Sequence, residues 1–162
     1  MTTSSRYSAA QPDSRLVFWL GYAGLLPFCI PAGLIWLANP EWSPFLATVL
    51  AAYATAIASF LGGIHWGIAW LTDGAISRAG SNLHLGWGVT PSLLAWPALL
   101  LPPHAALLLL GAVLAACYAV DLKTYPAAGL SRWLPMRLKL TCVAVPSCLL
   151  GAAAAWVAKT LT

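Results

Sequence analysis

Charge is what this chain has least of. Eight Lys and Arg and four Asp and Glu are spread over 162 residues, 7% of the total, against 60% hydrophobic residues. An ordinary soluble domain carries about 25% charged residues, so a soluble sphere of this size could not cover its surface with polar groups. That scarcity excludes a soluble enzyme, a nucleic-acid binder and a disordered regulator, despite a formal net charge of +4. Catalytic signatures are missing as well: the chain has no CxxC, no HxxxH, no paired carboxylates, no Ser/His/Asp constellation and no glycine-rich phosphate loop. Polar and apolar residues do not alternate over ten-residue segments, which argues against a β-barrel. With a mean hydropathy of +0.81, the composition reads as an all-α, polytopic membrane helical bundle.

A transmembrane helix needs about 20 mostly apolar residues, and five stretches qualify: residues 15–37, 45–72, 82–101, 104–120 and 138–157. They form one membrane domain over residues 15–159, preceded by a polar tail over 1–14. That tail and the long stretch after it do not read as a cleaved secretion signal, so the first helix is expected to be retained. Arg6, Arg15, Arg78, Lys123, Arg132, Arg137 and Lys139 all fall on one side of this topology, and Lys159 alone on the other. The positive-inside rule then puts the N-terminus in the cytoplasm and the C-terminus outside. Trp36, Trp42, Trp96 and Trp156 fall at the outer interface, and Trp19, Trp70, Trp87 and Trp133 at the inner one, as indole rings prefer. Trp66 falls deeper. No internal repeat suggests a duplicated transporter fold.

The second stretch carries Ala51, Thr55, Ser59, Gly63 and Gly67 at four-residue spacing. Small residues let membrane helices approach closely, so this stripe is expected to form the packing seam of the bundle. Ser147, Gly151 and Ala155 make a shorter stripe on the last helix. Prolines 27, 31, 91, 97 and 146 kink the other helices and free backbone carbonyls. Thr90 and Ser92, flanking Pro91, are placed to satisfy one of them.

His65 is the ionisable side chain set well inside a predicted span. Such a residue is a functional candidate because burying it is costly unless it is paired or neutral, and an imidazole suits proton transfer. The plainer reading is a neutral histidine bonded to a neighbouring helix. A polar path past His65, Trp66, Thr90 and Ser92 is the form a transport role would take. His65, His84, Cys117 and Cys142 are ligand types a metal accepts, but depth is the sole argument for their convergence, so no metal and no cofactor are expected. The four cysteines lie within predicted helices, which argues against a disulfide framework. Asp73 and Asp121, at predicted cytoplasmic helix ends, are expected to be solvated or paired with nearby Arg and Lys. The basic loop 121–137, with Lys123, Arg132, Trp133 and Arg137, and Lys139 just beyond it, should lie at the interface and contact anionic lipid or a partner.

Several motifs occur together: Gly21-Tyr22-Ala23-Gly24-Leu25-Leu26-Pro27-Phe28, Ser59-Phe60-Leu61-Gly62-Gly63-Ile64-His65-Trp66-Gly67, Trp87-Gly88-Val89-Thr90-Pro91-Ser92-Leu93 and Arg137-Leu138-Lys139-Leu140-Thr141. In this set the chain resembles an uncharacterised multi-pass membrane family of bacteria and mitochondria that includes transmembrane protein 69. The resemblance spans about residues 15–157. It implies an inner-membrane protein and no particular activity, and it draws attention to Gly62, Gly63, His65, Trp66, Trp87 and Pro91. Met136 stands where the family pattern often has an aromatic residue. The functional expectation is a non-enzymatic partner or assembly factor of the bacterial inner membrane, meeting membrane lipids, a protein partner or further copies of itself. A small oligomeric channel or proton-linked transporter comes second, and a lipid- or quinone-acting membrane enzyme third.

Overall fold

A computed structural model describes residues 14–71 and 77–161, and among them every regular element is helical. Six α-helices follow in order: α1 (Ser14–Ala23), α2 (Leu26–Leu37), α3 (Ser43–Leu71), α4 (Arg78–Ala95), α5 (Pro103–Thr124) and α6 (Leu134–Leu161). Short 3-10 turns at Pro40–Trp42, Trp96–Leu100 and Ser131–Trp133 link them. The expected polar tail and Asp73 lie outside the described residues.

The first predicted span is two helices rather than one bent helix. Pro27 has no N–H to offer the carbonyl of Ala23 and restricts the residue before it, so the chain breaks at Gly24 and restarts with Pro27 in the first turn of α2. Tyr53 Oη of α3 donates to the Gly24 carbonyl at 2.8 Å, which satisfies an acceptor the break exposes. At the other prolines the outcome is milder. Pro91 and Pro146 sit inside continuous helices, whereas Pro97 opens a 3-10 turn that extends α4 to Leu100. Ser77 caps α4, its Oγ accepting from the Gly80 N–H at 3.2 Å.

Four stretches are long and apolar enough to cross a membrane: residues 15–37, 40–71, 103–124 and 131–160. The predicted third span is not among them, because α4 starts with Arg78, Ser81, Asn82 and His84 and is correspondingly less apolar. Large side chains cover the outside. Trp19, Trp36, Trp42, Trp70, Trp96 and Trp156 are all exposed, as are Leu20, Phe45, Phe60 and Leu100. Small ones fill much of the centre, where Ala47, Ala51, Ala54 and Ala58 of α3 meet Leu107 and Leu110 of α5 and Cys148 and Ala152 of α6. Contact this close fits helices in lipid, where association rests on packing rather than on escape from water.

The predicted seam on α3 needs correction. Ala51 is buried, but Thr55 and Ser59 are half-buried, and a Cβ added at Gly63 or Gly67 would meet nothing within 4 Å. A four-residue step overshoots the helical turn by about 40°, so from Ala51 to Gly67 the stripe winds roughly 160° around the helix and leaves the core. The buried line instead runs through Ala54, Ala58, Leu61, Gly62 and His65. Thr55 and Ser59 use their hydroxyls on their own helix, donating to the carbonyls of Ala51 and Thr55 at 2.9 and 3.0 Å. The α6 stripe does face inward, and a Cβ on Gly151 would lie 2.7 Å from Leu50 Cδ2 and 3.1 Å from Leu107 Cδ1.

Gly62 and Gly88 set the α3–α4 register. A Cβ on Gly62 would run into the Gly88 carbonyl oxygen, and one on Gly88 would run into the Trp66 ring. Gly62→Ala is therefore expected to destabilise the bundle by about 1–3 kcal/mol through overpacking. Gly63→Ala should leave the fold unchanged or slightly more stable. Thermal midpoints of the two variants in one detergent check the contrast.

Candidate functional site

The glycine contact brings α3 and α4 close enough for their histidines to touch. His65 and His84 lie Nδ1 to Nδ1 at 2.8 Å, with ring centroids 5.0 Å apart. From the opposite side, His65 Nε2 reaches Asp121 Oδ1 of α5 at 3.1 Å. Arg137 of α6 closes the chain: its Nε donates to Asp121 Oδ2 at 2.7 Å, and its Nη2 lies 2.7 Å from the same oxygen. Four helices thus each supply one member of a continuous polar chain, His84–His65–Asp121–Arg137. It is closed to solvent, with relative exposures of 1% for His65, 4% for His84 and 2% for Asp121, and 11% for the Arg137 side chain.

Charge explains the order of the members. Asp121 and Arg137 compensate one another, which a buried carboxylate and a buried guanidinium both require. With both imidazoles neutral, one arrangement satisfies every contact: His65 carries its proton on Nε2 and donates to Asp121, and its bare Nδ1 accepts from the Nδ1–H of His84. Tyr125, just beyond α5, has its ring centroid 6.1 Å from that of His65. Burial pushes the Tyr125 hydroxyl up to about 12, the Asp121 carboxylate adding to the rise and the Arg137 guanidinium opposing it. Tyr125 therefore keeps its proton at neutral pH and has it available to donate.

Other candidate residues lie elsewhere. Trp66 points outward and donates from Nε1 to the Leu85 carbonyl at 3.0 Å, holding α3 to α4. Thr90 and Ser92 bond back to their own helix, at the carbonyls of Gly86 (2.9 Å) and Val89 (2.8 Å), and do not join His65. Within this bundle those three side chains do not line a common path with His65. Arg137 faces inward rather than toward lipid, and Asp121 takes the paired alternative, with Arg137 of the predicted basic loop, but buried rather than at the surface. Both follow from helices longer than the apolar stretches: α5 runs on to Thr124 and α6 begins at Leu134, so the predicted basic loop shrinks and its ends pair. Lys123, Arg132 and Lys139 are exposed, and the Arg132 guanidinium lies 5.2 Å from the Trp133 ring centroid. Cys117 is buried and Cys142 exposed. Among the described residues no group of three or more His, Cys, Asp or Glu could hold a metal ion.

Residues 14–153 match the family described as "Protein of unknown function (DUF3429)". The chain belongs to this family. It is also 36% identical over 142 residues to "Transmembrane protein 69" of Xenopus tropicalis, an alignment covering 85% of this chain and 53% of that protein. The chain thus spans about half the length of this curated relative. No solved structure matches. A membrane helical bundle with a buried four-residue polar chain is therefore what this DUF3429 protein presents.

Sequence reasoning singled out His65, and named His84 and Asp121 without joining either to it. The missed signal was spacing from the glycines: Gly62 and Gly88 at a close crossing put His65 and His84 at the same level. Removing one member of the ion pair should cost far more than removing both. Asp121→Asn is expected to destabilise the bundle by about 3–5 kcal/mol by leaving Arg137 uncompensated. The double variant Asp121→Asn with Arg137→Met should recover a measurable part of that loss. A thermodynamic cycle in one detergent decides it, and strict additivity would show that the two groups do not interact.

Proposed function

We propose that this DUF3429 protein is a non-enzymatic partner or assembly factor of the bacterial inner membrane, docking through the outer face of α3. The observation that carries the reading is the pair Gly63 and Gly67, spaced as GxxxG and turned away from the core with nothing within 4 Å of either. Glycine inside a helix costs up to about 1 kcal/mol relative to alanine, and nothing within the described bundle requires glycine at these two positions. A second helix seated there, from another protein or another copy of the chain, would use both. Ser59, one step earlier in the same series, extends the face.

In this reading the chain crosses the membrane five times. The α4 helix has 18 residues and its 3-10 extension five more, roughly 27 Å and 10 Å of rise, enough to span. The N-terminus is cytoplasmic and the C-terminus external, because Arg15, Arg78, Lys123, Arg132, Arg137 and Lys139 then share the cytoplasmic side. The exposed Lys123, Arg132 and Lys139, with Trp133, meet anionic headgroups there.

A proton-linked transporter is the second reading, favoured by the paired imidazoles. It needs a continuous polar route, and the core beyond His65 is Ala58, Ala54, Ala51, Leu50, Leu107 and Leu110. Ser147 lies among them with its hydroxyl spent on the Val143 carbonyl at 2.8 Å.

Isolation from the native membrane under mild solubilisation is expected to bring one protein partner, or a defined homo-oligomer, at fixed stoichiometry. Gly63→Leu with Gly67→Leu should abolish that association without lowering the thermal midpoint. A chain that isolates alone as a monomer, or an association indifferent to both substitutions, contradicts the reading.

A further inference from the structure

At the end of the bundle that holds Arg137, a cavity of about 530 Å³ opens sideways between α1, α3 and α6, under the turn that follows α5. A smaller one of about 160 Å³ continues from it between α1, α2, α3 and α6, sharing Leu20, Phe60 and Arg137. Its size is that of a site for a small organic molecule. The walls are apolar, and Leu20 and Phe60 at its edge are strongly exposed, so the opening faces hydrocarbon rather than water. Its polar groups are few and placed together: Tyr125 and the Arg137 guanidinium line the same cavity.

The charge of that end selects the occupant. Arg137 is already balanced by Asp121 at 2.7 Å, so among the described residues that line the cavity no uncompensated cation receives an anionic head. Lys123, Arg132 and Lys139 are exposed and do not line the cavity. What the site offers is hydrogen-bond donation. The Tyr125 hydroxyl is one donor, and Arg137 Nη2, buried and 2.7 Å from Asp121 Oδ2 but in no well-aligned hydrogen bond, is another. Two donors beside a neutral ion pair suit a carbonyl oxygen. Phe60, Tyr125 and Trp133 supply aromatic walls for a flat ring, and the lateral opening and adjoining smaller cavity leave room for one hydrocarbon tail.

We propose that this cavity binds a quinone carrying a hydrocarbon tail, its carbonyl held by Tyr125 and Arg137 and its ring against Phe60 and Trp133. The inference concerns binding, and no electron transfer is assigned to it. It goes beyond the docking face on α3, which lies on a different set of residues.

The test uses the full chain in phosphatidylcholine nanodiscs with decylubiquinone as the probe. Saturable binding near one per chain is expected, weakened about fivefold or more by Tyr125→Phe, the loss of one hydrogen bond. Leu20→Trp, which fills the opening without touching the polar chain, should abolish it while the thermal midpoint is kept. Decylbenzene, with the same tail and no carbonyl, should fail to displace the probe. Non-saturable uptake, binding indifferent to both substitutions, or displacement by decylbenzene would each overturn the proposal. Displacement by phosphatidic acid at stoichiometric amounts would overturn it in favour of an anionic-lipid site.

Discussion

A carboxylate inside a bundle as apolar as this one cannot stand alone, and the contact between Asp121 and Arg137 at 2.7 Å is the condition on which the rest depends. Without its guanidinium partner the carboxylate would take up a proton or pull water into the bundle. With it, one oxygen of Asp121 holds α6 while the other holds the imidazole of α3. The His65–His84 contact then adds α4. Because hydrogen bonds within helices are satisfied locally, such a chain of side chains is among the few devices that can fix one helix against another by direction rather than by fit alone.

Packing supplies the complementary constraint. The polar chain works only at the distances set by Gly62 and Gly88, where the α3 and α4 backbones touch. Further along α3, Ala58, Ala54, Ala51 and Ala47 continue the close approach toward α2, α5 and α6. Bulk is displaced outward to Leu20, Phe60, Trp70 and Trp96, which meet the membrane. The result is a bundle with small residues along much of its centre and a polar chain confined to one end.

Much of this was legible in composition and periodicity. The membrane class, the all-helical architecture, four of the five approximate spans and the singular position of His65 all follow from residue type and run length. The failures have specific causes. A strict four-residue step is not the helical repeat, so the stripe from Ala51 to Gly67 winds outward. Pro27 interrupts the first span upstream of itself, at Gly24, because it is the carbonyl four residues earlier that loses its donor. Asp121 and Arg137 looked like interfacial charges because each sits at the edge of an apolar run. Their pairing depends on how far α5 and α6 extend past those runs, which hydropathy does not encode. His84 could be grouped with His65 by depth alone, because it follows Asn82 and Ser81 at a polar helix start, where a solvated side chain is the ordinary expectation.

The central claim is that His65 stands between His84 and Asp121 as the middle member of one buried chain, and imidazole nitrogen NMR tests it most directly. In ¹⁵N-histidine-labelled protein in lipid at neutral pH, His65 is predicted to carry its proton on Nε2 with a bare Nδ1, His84 to carry its proton on Nδ1, and a scalar coupling to join the two Nδ1 nuclei. The Nε2 signal of His65 should move on Asp121→Asn. A His65 protonated on both nitrogens, or one whose signals show no coupling to His84 and no response at Asp121, would contradict the account.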